Sequence, residues 1–354
     1  MHSYLISLIS VRNAITSNQK NRDLFPYRFD LDFSGSIIMS ILSKQFYNLY
    51  PSKEPGRLDL LRWKLFYPAE KWPDHVENNQ KPVLPNLIID NEVYVTMINH
   101  ASLLIQVAGL NIITDPIFSE RASPFSWMGP KRVRAPGILL NELPKIDYVV
   151  VSHSHYDHMD IPSLKQLALK DNPQFLVPLN NAPILKKHGI NHIHELAWWQ
   201  QISINGHQSI TLVPTHHWSQ RTLLDRNHAL WGGFLIQSKA LKILFAGDTG
   251  FGEGKHFELI QNKFGNIDLS LLPIGSYEPR WFMQHYHLNP EEAVKAHHIL
   301  GSKKSIGIHF GTFRLTNEAY DDPVIELNNQ LQKHGIKSNH FAAPSNGQTL
   351  YFTF

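Results

Sequence analysis

The chain has 354 residues, 42% of them hydrophobic and 18% charged, so it can bury a sizeable core and is not a disordered protein. Its net charge is only +3, from 33 Lys and Arg against 30 Asp and Glu, which argues against a protein that coats nucleic acid. There is no Cys, which excludes disulfides, thiolate metal sites and a cysteine nucleophile. The 21 His are unusually many, so any metal site must be built from His and carboxylate side chains.

The first 90 residues differ in composition from the rest, being rich in aromatic residues, Pro and Lys. We predict an N-terminal extension over residues 1–90 that wraps on a domain over residues 91–354. Apolar residues at helical spacing predict an amphipathic helix over residues 38–49, which we expect to pack on the body or on a second copy rather than on a membrane. Residues 1–10 lack the features of a signal peptide and no apolar run is long enough to span a bilayer, so a cytoplasmic location is expected.

From residue 92 onward the pattern becomes regular. Short apolar runs bounded by turn residues predict strands over 93–98, 102–107, 110–114, 147–152, 209–214, 231–237, 241–246, 268–273 and 305–309. Helices are predicted over 162–170, 255–264, 290–300 and 323–333. Because the strands fall into two groups with helices between them, we predict two packed sheets with helices on the outside.

The strongest chemical signal is the run His153-Ser-His155-Tyr-Asp157-His158, which directly follows a predicted buried strand. Sites are commonly built on loops at strand ends, and a turn there can bring closely spaced imidazoles and a carboxylate together around a metal. The alternative is a polar loop whose histidines are fortuitous. The strand before the run favours a metal-binding motif over that alternative.

Six residues cannot complete two metal sites, so further ligands are expected at later strand ends. Asp248 lies between a predicted strand and a Gly-containing turn, where its carboxylate is suited to bridge two cations or, alternatively, to cap a turn. His309 also ends a predicted strand, although a histidine alone at such a position is more often a hydrogen-bonded core residue. His216 and His217 follow another predicted strand, and the spacing does not choose between them.

These motifs together resemble the metallo-β-lactamase superfamily, and more closely the zinc phospholipase D family that hydrolyses N-acyl-phosphatidylethanolamine, with its prokaryotic relatives. The most specific phrases are Arg121-Ala-Ser-Pro124 and Tyr277-Glu-Pro-Arg-Trp-Phe-Met283. The other matching phrases begin at Thr114, Met128, Glu142, His217, Ala246, Pro273, Asn289 and His309. The resemblance spans residues 92–325 and implies an α/β (α+β) fold, the four-layer αββα sandwich, with a two-metal site between the sheets and a hydrolase domain over residues 91–354.

The resemblance also implies a ligand set. It assigns His153, His155 and His217 to one Zn²⁺, assigns Asp157, His158 and His309 to the other, and has Asp248 bridging. The histidine directly before Trp218 is the matching position, which favours His217 over His216. Other divalent metals remain an alternative to zinc, because sites of His and Asp accept several.

Three groups are expected to be catalytic. The resemblance implies a hydroxide held between the two metals that attacks phosphorus, with Asp157 and Asp248 orienting it. His287 matches a position near the phosphate, where it would donate a hydrogen bond to a phosphoryl oxygen or protonate the leaving group, unless it is an ordinary histidine beside a helix. His100 and Asp115 are expected to support the ligands from behind.

Substrate contacts are expected from Tyr277, Arg280 and Tyr286, although aromatic core packing explains this region as well. Tyr286 stands where the family is expected to have Gln, and Asn99 replaces a Gly, and both departures bear on lipid specificity more than on metal binding. The basic residues Lys131, Arg132 and Arg134 are read as a solvated loop, with a phosphate-facing role as the alternative.

The function that the resemblance implies is phospholipase D-type cleavage of N-acyl-phosphatidylethanolamine to phosphatidic acid and an N-acylethanolamine. The expected partner is a phospholipid or another phosphodiester and not nucleic acid, with peripheral membrane contact and a homodimer left open. The alternatives are a lactonase acting on a sugar phosphate, a nuclease of the tRNA-processing type, and a non-catalytic, metal-stabilised interaction protein. The presence of all seven expected ligands argues against the last alternative.

Overall fold

A computed structural model of the chain describes residues 45–50, 54–85, 91–239 and 241–354. Two seven-stranded sheets form its centre, in the orders β14-β1-β2-β3-β4-β5-β6 and β13-β12-β11-β10-β9-β8-β7. The strands of the first sheet are β1 (Glu92–Asn99), β2 (Ser102–Val107), β3 (Leu110–Thr114), β4 (Tyr148–Val150), β5 (Gln174–Pro178), β6 (Ile193–Leu196) and β14 (Thr349–Thr353). Those of the second are β7 (Gln201–Asn205), β8 (Gln208–Val213), β9 (Gly233–Ser238), β10 (Leu241–Phe245), β11 (Leu269–Pro273), β12 (Lys304–Ile308) and β13 (Phe341–Ala342).

Each sheet combines an antiparallel half with a parallel half. In the first sheet β14, β1, β2 and β3 pair antiparallel, while β3, β4, β5 and β6 pair parallel. In the second, β7 to β10 pair antiparallel and β10 to β13 pair parallel. The carboxyl ends of parallel strands in one sheet meet at a common edge, which is where open sheets of this kind build their sites.

The main core lies between the two sheets. Alternate side chains of each strand point to opposite faces, so one set from each sheet meets in the middle. This layer contains Val95, Leu103 and Ile105 of the first sheet and Ile210, Phe234, Ile243 and Leu271 of the second, all buried. Because the close packing of this layer fixes one sheet against the other, the loops at the ends of their strands are held at fixed distances from each other.

Helices cover both outer faces and complete the predicted four-layer αββα sandwich. The helices are α1 (Arg57–Phe66), α2 (Ile161–Asp171), α3 (Ala182–Lys186), α4 (Lys255–Phe264), α5 (Arg280–Met283), α6 (Pro290–Ile299) and α7 (Asp322–Lys333). Helices α2 and α3 pack on the first sheet through Leu164, Leu167 and Leu185. Helices α4, α6 and α7 pack on the second, where Ile260, Val294 and Leu327 are buried.

Most of the predicted elements are confirmed. Strands β2 and β3 and helix α4 have the predicted bounds, and the other predicted strands and helices differ by one or two residues at one or both ends. Strands β5, β6, β7, β13 and β14 and helices α1, α3 and α5 were not predicted. The helix predicted over residues 38–49 lies outside the described residues up to residue 44, and residues 45–49 are not helical.

The described part of the first 90 residues is attached to the sandwich at specific points. The backbone N–H of Phe46 donates to the carbonyl of Asn227 at 2.8 Å, and the Phe46 ring is buried in the inter-sheet core. Trp63 of α1 is buried and its indole N–H donates to Asn317 at 2.9 Å. None of the helices in these described ranges is both long and apolar enough to cross a bilayer.

Candidate metal centre

The predicted ligands converge where strands of the two sheets end. The loop after β4 carries His153, His155, Asp157 and His158, and a second group comes from the other sheet, with His217 beyond β8, Asp248 beyond β10 and His309 directly after β12. His155 and Asp157 are half-buried, and the other five are buried. The sandwich thus brings all seven predicted ligands to one place from four separate strand ends.

Three histidines form one half of the cluster. The Nε2 atom of His153 lies 2.8 Å from Nδ1 of His155, and the latter lies 3.4 Å from Nε2 of His217. Three imidazole nitrogens this close together, all within 4.8 Å of one another, are a typical arrangement for a divalent transition metal.

The other half combines a carboxylate with histidines. Oδ2 of Asp157 lies 3.2 Å from Nε2 of His158 and 3.4 Å from Nε2 of His309. His100 also reaches this group, since its Nε2 lies 3.1 Å from the same Asp157 oxygen. His100 therefore contacts a predicted ligand directly and lies close enough to Asp157, His158 and His309 to share a metal with them, so the supporting role stays a prediction.

Asp248 lies between the two halves. Its Oδ2 is 3.1 Å from Nε2 of His158 and 3.2 Å from Nε2 of His309, both in the carboxylate half. The same oxygen is 3.8 Å from Nε2 of His153 and 3.7 Å from Nε2 of His217, in the histidine half. One carboxylate oxygen facing both groups is the position that a bridging ligand requires.

Polar groups behind the ligands fix the orientation of their rings. Nδ1 of His158 lies 2.6 Å from Oδ2 of Asp115, and Nδ1 of His153 lies 2.9 Å from the Ser152 hydroxyl, which itself donates to Asp115 at 2.5 Å. Nδ1 of His217 donates to the carbonyl of Tyr286 at 2.9 Å. With Nδ1 occupied in each case, Nε2 is left to face the cluster, which is how outer partners set the tautomer of metal-binding histidines.

The electrostatics of the cluster favour added positive charge. Burial opposes ionisation of Asp157 and Asp248, but the charge of His158 and other histidines outweighs burial and holds the pKa of both carboxyls well below the usual range. Burial also opposes protonation of His309, yet Asp248 and Asp157 overcome it and raise the pKa of His309 to about 9. The two ionised carboxylates therefore attract a cation, whether a proton or a metal ion.

Unpaired polar atoms provide a test of whether the cluster fits a metal. Among the described residues, the Nε2 atoms of His158 and His309 and Oδ1 of Asp248 are buried without a hydrogen-bond partner. A buried polar atom left unpaired costs about 1–3 kcal/mol, so several of them in one small volume need compensation. A divalent metal would supply it, since neutral imidazole and carboxylate are its ordinary ligands. The residues present thus fit a metal centre.

The backbone near the ligands is shaped by glycine. Gly247, just before Asp248, has φ +61°, and a Cβ there would lie 2.6 Å from Cβ of Ser152. Another residue at this position would push against the segment that carries His153. His309 itself adopts φ +63°, which is unusual for a non-glycine residue and is common at functional sites.

Three other predicted site residues, which were not predicted as metal ligands, are His287, Tyr286 and Arg280. His287 is buried beside the cluster, with its unpaired Nδ1 3.9 Å from Oδ2 of Asp248. Tyr286 contributes its carbonyl to His217. Arg280 is engaged within the protein, because its guanidinium pairs with Glu292 at 2.5 Å and donates to the carbonyl of His287 at 2.8 Å.

Two other predicted features lie apart from the ligands. Tyr277 is buried, and its pKa is raised mainly by that burial and then by nearby carboxylates, the first of which are Glu318 and Asp322 rather than those of the cluster. Arg132 is buried and donates to the carbonyls of Ser119 and Ile117, so this member of the basic run does not belong to a solvated loop. Its Nε and Nη2 donors hold the loop, while its Nη1 is buried without a hydrogen-bond partner.

Comparison with known proteins supports the same interpretation. The profile of the β-lactamase superfamily domain matches residues 110–310. N-acyl-phosphatidylethanolamine-hydrolyzing phospholipase D 1 of Caenorhabditis elegans is 38% identical over 271 residues, covering 73% of this chain and 76% of that protein. The Saccharomyces cerevisiae protein named N-acyl-phosphatidylethanolamine-hydrolyzing phospholipase D, mitochondrial, is 34% identical, covering 76% of this chain and 59% of its own length.

The chain belongs to the β-lactamase superfamily, in the N-acyl-phosphatidylethanolamine-hydrolysing phospholipase D family. This membership makes it a metal-dependent hydrolase by class. A solved metallo hydrolase of the archaeon Ignicoccus hospitalis matches with a TM-score of 0.55 and 21% identity, over 74% of this chain and 99% of that chain, which supports the fold alone.

Sequence reasoning missed two residues that support the loop carrying His153 to His158. Ser152 joins His153 to Asp115 as described above. Arg221 is half-buried and donates to the carbonyls of Ser154 and Met159 at 2.8 and 2.9 Å, while its guanidinium lies over the Tyr156 ring. Neither residue carries a sequence signal, because a serine at a strand end and an arginine in a loop are both commonplace.

Asp115→Asn tests the support behind His158. The amide presents a donor where His158 needs an acceptor, so we expect metal affinity to fall by about 10- to 100-fold, measured by competition with a chelator. Asp171→Asn is the matched control, because Asp171 also accepts a backbone amide, that of Ile146, but lies away from the cluster. Equal affinity in Asp115→Asn and the unsubstituted protein would contradict this role.

The metal-free protein should be most stable near pH 6.5. Burial lowers the pKa of His100 and His217 to about 3 and that of His155 to about 4, against a usual 6.5. Below pH 6.5 the unfolded chain binds protons at these histidines while the folded chain does not. The folded protein therefore keeps its full stability above pH 6.5 and loses stability as the pH falls. The raised pKa of His309, about 9, contributes stability that is present below pH 6.5 and is lost as the pH rises through 9.

Urea unfolding of chelator-treated protein across this range measures the effect. His309→Gln should make the alkaline decline shallower and leave the acid decline in place. Stability that continues to rise between pH 7 and 9 in the unsubstituted protein would contradict the charge balance described here.

Proposed function

We propose that the chain hydrolyses N-acyl-phosphatidylethanolamine in the manner of a phospholipase D, giving phosphatidic acid and an N-acylethanolamine. The observation that carries the proposal is the position of Asp248, whose Oδ2 faces a three-histidine group on one side and the Asp157 group on the other. Two adjacent metal positions joined by a carboxylate suit the hydrolysis of a phosphodiester. The names of the worm and yeast relatives support the choice of lipid.

The proposed metals are two Zn²⁺. One would be held by His153, His155 and His217 and the other by Asp157, His158 and His309, with Asp248 shared. Such a pair, when bound, supplies Lewis acidity toward phosphoryl oxygens and lowers the pKa of water toward neutrality. Ligands that are all nitrogen and oxygen also accept manganese or iron, so the bound metal has to be measured.

The side chains around the metals would position the reactants. Asp157 and Asp248 stay ionised and can accept hydrogen bonds from the attacking water, which orients its lone pair toward phosphorus. His287 is buried, and desolvation holds its pKa well below the usual range. It is therefore neutral at physiological pH and serves better as a hydrogen-bond donor to a phosphoryl oxygen than as a proton donor to the leaving group.

An aromatic cluster beside the metal centre favours a lipid over a sugar phosphate. The cluster consists of Trp63, Tyr67, Trp218, Trp281, Phe282, Met283 and Tyr286. The Trp218 ring lies 4.4 Å from the ring of His155, so apolar surface extends up to the ligands. A lactonase for a soluble sugar phosphate would be expected to have a small polar pocket there instead.

We further propose that residues 91–354 form the catalytic domain. The earlier residues then form an extension, which contributes Trp63 to the aromatic cluster.

Turnover of the lipid is the direct test. Zinc-loaded protein in mixed micelles with N-acyl-phosphatidylethanolamine should release phosphatidic acid and N-acylethanolamine, both followed by mass spectrometry, with bound metal quantified in the same preparation. Asp248→Asn should abolish turnover, because it removes the shared carboxylate, while Asp171→Asn should retain it. A fully metallated, folded protein that releases neither product would overturn the lipid assignment.

His287→Asn separates substrate handling from metal binding. We expect kcat to fall by about 10²- to 10⁴-fold with the metal content unchanged, since the imidazole faces the cluster without being one of its proposed ligands. His285→Asn in the same loop is the control and should keep kcat within a few-fold. Loss of metal from His287→Asn would show instead that His287 is a ligand.

A further inference from the structure

We propose that Asn48, in the N-terminal extension, is a positioning residue for the proposed metal ligand His217. The described residues 45–50 are called the strap below. The inference rests on the proposed function only in that it takes His217 as a ligand. It makes the strap a part of the metal centre, although the strap lies outside the superfamily domain matched at residues 110–310.

The side-chain amide of Asn48 binds both backbone polar groups of His217. The backbone N–H of His217 donates to Oδ1 of Asn48 at 3.0 Å, and Nδ2 of Asn48 donates to the His217 carbonyl at 2.9 Å. An Asn side chain carries an acceptor and two donors in one plane, so it can pair with the N–H and C=O of one residue as a neighbouring strand would. Within the part of the chain that the structure describes, no other hydrogen bond reaches these two backbone groups. The backbone of His217 is therefore held from the extension.

The ring of His217 is held separately from its backbone. Its Nδ1 donates to the carbonyl of Tyr286, which decides that Nε2 faces the cluster. The backbone contact with Asn48 then decides where the ring is placed. Nε2 lies 3.4 Å from Nδ1 of His155 and 3.7 Å from Oδ2 of Asp248. Because zinc–nitrogen bonds are about 2.0–2.1 Å long, a shift of this ring would weaken a metal held by all three histidines of its group.

The amide of Asn48 is itself fixed in orientation. The indole N–H of Trp231 is shared between Oδ1 of Asn48 at 3.2 Å and the carbonyl of Thr215 at 3.1 Å. Trp231 is buried in the inter-sheet core and cannot easily move. Because Oδ1 accepts from two N–H groups, Nδ2 of Asn48 is left to face the carbonyl of His217.

The strap is seated in the body next to this contact. The Phe46 ring, two residues before Asn48, is 1% exposed and belongs to the inter-sheet core. The backbone N–H of Phe46 donates to the carbonyl of Asn227 at 2.8 Å, in the loop that follows His217. Burial of Phe46 thus provides the attachment, and the Asn48 amide makes the specific contact with the ligand.

Simple attachment of the extension is the competing explanation for Asn48, and Asn78 represents it. Nδ2 of Asn78 donates to the carbonyls of Ala135 at 3.0 Å and Pro136 at 3.2 Å, and its Oδ1 accepts from Arg134 at 2.8 Å. Both asparagines are half-buried residues of the extension, and each makes three hydrogen bonds to the body. Only Asn48 bonds to a proposed ligand, so comparison of the two separates positioning from attachment.

The test compares Asn48→Ala with Asn78→Ala in the full chain. Both should lower the free energy of unfolding of the metal-free protein in urea, because each removes three hydrogen bonds. In Asn48→Ala, the affinity for one bound Zn²⁺ should fall by about 10- to 100-fold, measured by competition with a chelator, and in Asn78→Ala it should be unchanged. With Co²⁺ in place of Zn²⁺, the visible absorption spectrum should change only in Asn48→Ala. Asn48→Gln, which keeps the amide on a longer side chain, should recover part of the affinity.

Hydrogen exchange of the metal-free protein gives a readout that needs neither metal nor lipid. The peptide that contains His217 should exchange faster in Asn48→Ala than in Asn78→Ala. Faster exchange and weaker metal binding confined to Asn48→Ala would support positioning even in a chain that does not cleave N-acyl-phosphatidylethanolamine, and would leave only the proposed reaction overturned. Metal affinity in Asn48→Ala equal to that of the unsubstituted chain, or equal losses in Asn48→Ala and Asn78→Ala, would overturn positioning. If Asn48→Ala does not fold, Asn48→Gln is compared with Asn78→Gln by the same criteria.

Discussion

The burial of two carboxylates among histidines is the constraint on which the rest of the structure depends. Asp157 and Asp248 cannot be taken out of water as anions unless positive charge lies next to them. In the absence of a metal, protons on His158 and His309 supply that charge, because the carboxylates raise the pKa of both histidines in spite of burial. A bound metal would supply it more completely, because it would also take up nitrogen atoms that are otherwise buried and unpaired. The centre is therefore built to hold cations, and its protonated form is a partial substitute.

This constraint explains why the two-sheet architecture is needed. The histidine loop that contains Asp157 belongs to the first sheet, whereas Asp248 and His309 end strands of the second. Ångström-scale distances between them exist only because the inter-sheet core fixes one sheet against the other. The close packing also sustains the local strain at His309, whose φ of +63° is costly for a non-glycine residue, while glycine at position 247 adopts its positive φ without strain.

The difference between local sequence signals and tertiary contacts decides what could be predicted from the sequence. The residues of the cluster could be predicted to converge because they are local signals, namely His-x-His-x-Asp-His after an apolar run and single His or Asp residues at later strand ends. Strands β6 and β7 were missed because they are edge strands of only four and five residues, too short for a firm prediction even though half-buried and exposed side chains alternate along β7. The engagement of Arg280 by Glu292, and of Arg132 by backbone carbonyls, is decided by tertiary contacts that no local pattern encodes.

Helix α1 shows a different limit of sequence reasoning. Its leucines follow a helical period, but periodicity alone does not say whether an apolar face points to the core or to the outside. In α1 a single bulky residue, Trp63, makes the attachment, and the leucines are left outside. The half-buried ligands His155 and Asp157 mark the open side of the centre, and Trp218 of the aromatic cluster stands against His155. Trp63 therefore adds a residue from before position 91 to the aromatic cluster on this side. One short helix outside the matched superfamily domain thus contributes apolar surface beside the metal centre.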